Sequence, residues 1–227
     1  MKPTLRSRFA GDRKEGQSIL GTFEKELTAY LVPKVPLWLE TYHLTLLTIP
    51  WCIGIVLCSY LATWNIHFLW LVSFMILLQY LTDLLDGAVG RARNTGLVKW
   101  GFYMDHFLDY IFLCSILIGY SLLLPDHFKY LLFFTLVVFG SYMVSSFLDF
   151  AATNKFRISY LGIGPTEIRI IFIVINTLLI VFGKTYMGWL LPYILGGSLV
   201  GLIFVVYRTQ REIWRLDMEQ KVKTDKK

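Results

Sequence analysis

Apolar residues in this chain come in long runs, without the alternation of a half-buried strand or the narrow stripe of a surface helix. Runs near 44–64, 66–86, 101–124, 128–149, 167–183 and 187–207 each approach the roughly 20 residues that cross a bilayer as a helix. The pattern predicts an all-α integral membrane protein with six transmembrane helices in one membrane domain over residues 37–207. Ahead of the first run, Ile19, Leu20, Phe23, Leu27, Tyr30 and Leu31 recur at helical spacing, with Glu24, Lys25, Glu26 and Thr28 between them. That spacing predicts an N-terminal amphipathic segment over 18–36, ended by Pro33 and Pro36. Beside a membrane it either lies in the interface or packs on the cytoplasmic face of the protein. Residues 1–17 read as a disordered N-terminus, and 208–227 as a charged cytoplasmic tail that starts helical and frays among lysines.

Composition supports the membrane reading. Of 227 residues, 56% are apolar and 16% aromatic, more than an ordinary soluble domain carries. The polar, basic first forty residues predict no cleavable leader. Charge placement then orients the spans. Six crossings put all but Lys129 and Lys184 of the 22 Lys and Arg on one side. By the positive-inside rule that side, with both termini, is cytoplasmic. The net charge of +6 therefore reflects topology and attraction to anionic lipid. No nucleic-acid-binding motif accompanies the basic tails, so nucleic acid is excluded as a partner. Cys52, Cys58 and Cys114 fall inside spans without metal-ligand spacing and read as reduced core or lipid-facing residues.

The candidate chemistry lies between spans two and three. Asp83, Asp86, Asp105 and Asp109 cluster at the cytoplasmic ends of two consecutive helices. A single charge at a helix centre costs about 2.5–3.5 kcal/mol on insertion scales, so four carboxylates require a compensating cation. Asp83 and Asp86 share one helical face, as do Asp105 and Asp109. A short connection makes the two helices antiparallel neighbours, so the pairs can face each other. Hard oxygen ligands without a Cys or His cluster suit Mg²⁺ or Mn²⁺. Gly87, Gly90 and Gly101 keep the opposed faces bare, and Arg91 is placed to clamp a phosphate with its planar guanidinium.

The run Asp83-x2-Asp86-Gly87-x2-Gly90-Arg91-x9-Gly101-x3-Asp105-x3-Asp109 closely resembles the signature of the CDP-alcohol phosphotransferases. The likeness extends to size, six spans and a cytoplasmic amphipathic helix, and so covers residues from about 20 to 207. Two positions depart from the family pattern: Gly90 where Ala is usual, and Tyr42, three residues before Thr45, where many members carry Asn. The resemblance implies that Asp83, Asp86 and Asp105 bind metal, and that Asp109 binds metal or acts as base on the acceptor hydroxyl. It implies that Gly87 and Arg91, with Gly101 opposite, hold the nucleotide and its diphosphate. His106 resembles the histidine after the third Asp in choline and ethanolamine phosphotransferases, where it looks like a base. As a lone helical histidine it also reads as a packing residue. The stretch Gly164-Pro165-Thr166-Glu167 resembles one in the same enzymes, although a turn with Thr166 as N-cap explains it as well. Arg157, Glu167 and Arg169 are candidates for an acceptor pocket. The family likeness also suggests a homodimer.

The expected reaction is phospholipid synthesis by transfer of a substituted phosphate from a CDP-alcohol to a hydroxyl acceptor, with release of CMP. Two directions share the motif: CDP-diacylglycerol donating to a small alcohol, or CDP-choline or CDP-ethanolamine donating to diacylglycerol. His106 and the 164–167 stretch favour the second, whereas the short chain favours bacterial-type enzymes of the first kind and a bacterial inner membrane over the endoplasmic reticulum. An Asp-rich prenyltransferase is a rival, but it would use more spans and motifs far apart in sequence. A divalent-cation transporter would need a polar path across the bilayer, and the external half of the chain offers little beyond Asn176 and scattered hydroxyls.

Overall fold

A computed structural model describes residues 14–15, 20–95, 97–157, 164–183 and 185–225, with side chains omitted at 14–15, 157 and 185–187. Helix α1 (Gly21–Leu31) precedes a broken first span, α2 (Thr41–Leu46) and α3 (Thr48–Leu61). The later spans are α4 (Leu69–Arg93), α5 (Val98–Leu123), α6 (Asp126–Thr153), α7 (Pro165–Phe182) and α8 (Thr185–Thr224). A two-residue parallel contact joins β1 (Lys14–Glu15) to β2 (Phe156–Arg157). Among the described residues, six helical segments are long and apolar enough to cross a membrane, so this is an integral membrane protein. Large exposed side chains such as Phe133, Val181, Val200 and Ile203 suit lipid contact along those segments.

The helices outrun the apolar runs wherever a cap lies further out. The first span starts at Thr41 because Glu40 precedes it as N-cap, its backbone N–H donating to His43 Nδ1 at 3.1 Å. The second continues past residue 86 to Arg93 and stops at Asn94, which takes the left-handed conformation at φ 54°. Asparagine tolerates that geometry better than most residues. Asn154 ends α6 in the same way at φ 56°. Past Asn94 the chain returns antiparallel, so the Asp83 end of α4 stays beside the Asp105 end of α5. The last helix runs unbroken from the membrane to Thr224, which makes the charged tail a continuation of the sixth span.

The core is formed where α3, α4 and α5 meet, around Ile55, Leu69, Val72, Ile76 and Ile116. Arg93 fastens the segment between α1 and α2 to the end of α4. Its guanidinium donates to the carbonyls of Val35 (2.7 Å), Leu39 (3.0 Å) and Pro36 (3.2 Å). α1 itself is tied to the start of α7, where Thr166 donates its hydroxyl to Glu24. The amphipathic helix therefore sits against the same end of the bundle as the aspartates. Ser18 and Ile19, the expected first residues of that helix, lie outside the described residues.

Candidate functional site

Asp83 on α4 and Asp105 and Asp109 on α5 each present a carboxylate oxygen, and these three atoms lie within 4.8 Å of one another. The i, i+4 spacing puts Asp105 and Asp109 on one face of α5, and the antiparallel return brings that face to Asp83. All three are partly buried. Oxygen ligands this close, drawn from two helices, fit a hard divalent cation. Asp86 is not one of these three. It is buried and accepts from the hydroxyl of Thr45 on α2 (2.9 Å) and from the backbone N–H of Gly87. The broken first span thus supports the second Asp of the motif through Thr45.

Gly87 and Arg91 form one unit. A Cβ placed on Gly87 would meet Arg91 Nη1 at 3.2 Å, so the arginine side chain lies back over the bare turn of its own helix. Arg91 is exposed, at the end of the bundle where the carboxylates are. Among the described residues, nothing stands within 4 Å of a Cβ on Gly101, which leaves that surface of α5 open. A basic, planar group beside open backbone can take up a diphosphate.

His106 lies between the carboxylates and an aromatic shell. Its Nδ1 is 3.6 Å from Asp105 Oδ2 and 4.0 Å from Asp109 Oδ2. The ring meets Phe102 edge-on with centroids 4.6 Å apart, and packs against Phe156 at 4.7 Å and Phe147 at 5.7 Å. Those rings come from α5, β2 and α6. They hold the imidazole in place while one edge faces the acidic cluster.

Behind His106 and Asp109 a cavity of about 720 Å³ extends between α5, α6, α7 and α8. Its walls are almost entirely apolar, including Leu117, Leu132, Phe139, Leu179 and Leu191, with Ser146 and Arg169 at the polar end. His106 and Tyr120 both line it, so at the helical rise it covers about 20 Å along α5. That is a large part of a hydrocarbon core about 30 Å thick. Gly87, Arg91 and Gly101 are not among its lining residues.

Arg169, expected at an acceptor pocket, reaches both that cavity and the carboxylates. Only 3% exposed, its Nη2 is 3.0 Å from both Asp83 Oδ2 and Asp109 Oδ1. Its Nε donates to Gln79 Oε1 at 2.7 Å. Gln79 was not among the residues singled out from sequence. The available signal was a lone amide in an apolar run, one helical turn before Asp83. Glu167 turns back on its own helix, accepting from the N–H of Gly164 at 2.8 Å. Thr166 is not the N-cap: Pro165 opens the helix after Gly164, since proline has no N–H to lose in the first turn. The side chain of Arg157 lies outside the described part of the structure.

Comparison with known proteins adds one positive finding. A family model described as CDP-alcohol phosphatidyltransferase matches residues 41–206, from the start of α2 almost to the charged part of α8. No curated protein matches the chain.

Proposed function

The chain belongs to the CDP-alcohol phosphatidyltransferase family, and we propose that it transfers a phosphoalcohol group from a CDP-linked small alcohol, of the choline or ethanolamine kind, to a lipid alcohol of the diacylglycerol kind. The observation that carries this direction is which part of the site the apolar cavity adjoins. His106 and Asp109 line it, whereas Gly87, Arg91 and Gly101 do not. A lipid occupying the cavity would bring its hydroxyl to the proton-accepting side of the site. The nucleotide would approach from the other side, where Arg91 lies over Gly87. A CDP-diacylglycerol donor would instead call for apolar walls next to the nucleotide residues.

Asp83, Asp105 and Asp109 would hold a divalent ion, Mg²⁺ or Mn²⁺, with Asp86 close by under the hold of Thr45. Such an ion supplies neutralisation of the diphosphate and of the phosphate that leaves with CMP. Within this reading Arg91 binds the diphosphate and aligns it. His106 is the base. Asp109 is already engaged by the Arg169 guanidinium at 3.0 Å, while the imidazole faces the cavity with carboxylates beside Nδ1 to steady the imidazolium that forms. The lipid hydroxyl oxygen attacks the phosphorus bearing the small alcohol as His106 takes its proton. The P–O bond to CMP breaks, and its electron pair leaves on the CMP phosphate. Basic side chains concentrated at this end of the bundle orient the site toward the cytoplasm.

The test is a donor and acceptor screen on purified protein in detergent with Mg²⁺ or Mn²⁺. CMP release is expected from CDP-choline or CDP-ethanolamine only when diacylglycerol is supplied, with the label moving to the organic phase. Release confined to CDP-diacylglycerol with small polar alcohols would reverse the direction, making the lipid the donor.

A further inference from the structure

Two carboxylates of the site, those of Asp83 and Asp109, share the guanidinium of Arg169. We propose that Arg169 is a built-in counter-cation for the acidic cluster, balancing it when no divalent ion is bound and thereby limiting how tightly an ion is held. The proposal rests on the metal reading of Asp83, Asp105 and Asp109.

Three features carry it. First, the contact is shared between the two helices that supply ligands: one guanidinium nitrogen is 3.0 Å from Asp83 on α4 and 3.0 Å from Asp109 on α5. Without a cation, carboxylate oxygens within 4.8 Å of one another would repel at a place where water screens poorly. Second, Arg169 is fixed in place. At 3% exposure it donates through Nε to Gln79, itself 1% exposed, and its guanidinium carbon lies 5.7 Å from the centre of the Phe112 ring. The side chain reaches the cluster from α7 at the level of Gln79, one turn before Asp83 on α4. Third, an arginine keeps its charge at any physiological pH. The positive charge is therefore permanent, and an incoming divalent ion always meets it at two of its ligands.

A fixed charge this near weakens ion binding whether or not the guanidinium shifts aside. Removing the charge should tighten binding, although a residue that only held the carboxylates in shape would weaken binding when lost. The sign of the change separates the two roles.

The experiment measures Mn²⁺ binding by the EPR signal of free Mn²⁺, with the full-length protein in lipid nanodiscs and no substrate present. Arg169→Gln, whose amide can still meet Gln79, is expected to bind Mn²⁺ tighter by about tenfold or more. It should also melt at a lower temperature than wild type in chelator, with the difference closing when Mn²⁺ is added. Arg169→Lys keeps the charge and is expected to stay within about threefold of wild type. Gln79→Glu gives Arg169 a carboxylate of its own, drawing its charge from the cluster, and should tighten binding in the same direction. This second variant carries the test if Arg169→Gln does not fold. Unchanged or weaker Mn²⁺ binding in Arg169→Gln and Gln79→Glu overturns the proposal, as does equal tightening in Arg169→Lys and Arg169→Gln. Asp105→Asn separates the two levels of inference. If it leaves wild-type Mn²⁺ binding intact, the ion is not held at this cluster, and the metal reading fails along with the proposal.

Discussion

Asp109 and His106 lie on the same turn of α5 and both line the cavity, but only Asp109 meets Arg169, and the roles proposed for them divide accordingly. Asp109 faces Arg169 and the other carboxylates. His106 faces phenylalanine rings and the apolar cavity. A base touches only the acceptor, so His106→Ala is expected to lower kcat by about 10²–10⁴ while CDP-donor affinity stays near wild type. Asp109→Asn removes a proposed metal ligand and a partner of Arg169, and is expected to lose donor affinity and rate together. Equilibrium binding of a labelled CDP-donor, measured beside single-turnover rates, checks the pair. A His106→Ala enzyme with full rate would return the proton to Asp109. The residue types and spacing of the aspartates were legible in the sequence because a helix puts i, i+3 and i+4 on one face. The roles of Thr45 and Arg169 were not, because they reach Asp86 and the pair Asp83 and Asp109 from other helices, and Gln79, on α4 itself, acts only through Arg169 of α7.

At the scale of elements, the end of α4 carries the surface proposed to bind the diphosphate. The apolar run stops near residue 86, but the helix continues to the Asn94 cap, so Gly87, Gly90 and Arg91 belong to a regular helix. The absent side chain at Gly87 then leaves room for Arg91 to fold back. Gly87→Leu should fit the helix, since leucine is the better helix former, yet it displaces the arginine. Loss of one charge-assisted contact to a diphosphate predicts about a tenfold fall in CDP-donor affinity or more, with helical content by circular dichroism unchanged. Donor affinity equal to wild type would show that the position of Arg91 over Gly87 is immaterial. The start of α7 makes a related point. Sequence placed the N-cap at Thr166, whereas Gly164 takes it, and the bond from Thr166 to Glu24 of α1 depends on two segments far apart in the chain.

For the molecule as a whole, the distribution of basic residues makes a prediction about sidedness. Cysteines introduced at Thr95, in the turn between α4 and α5, and at Thr224, at the end of α8, should both react with an impermeant maleimide only from the cytoplasmic side of sealed vesicles. Reaction of position 95 from the opposite side would invert the site and undo the proposed access of a cytoplasmic nucleotide.

The sequence by itself determined the class of protein and the position of its candidate chemistry. Six apolar runs of membrane length, polar turns between them and a dense motif over residues 83–109 are all local patterns, and the bilayer forces each run into a helix whose backbone groups are satisfied internally. The tertiary structure decided what those helices enclose. The 720 Å³ cavity needs side chains from α5 to α8 at once, the aromatic shell of His106 draws on α5, α6 and β2, and Arg169 meets aspartates 60 and more positions away in the chain. Helical periodicity sets which residues share a face, but which faces meet depends on packing among all the spans. That is why the carboxylates could be read from their spacing, while the cation between them and the cavity behind them required the assembled bundle.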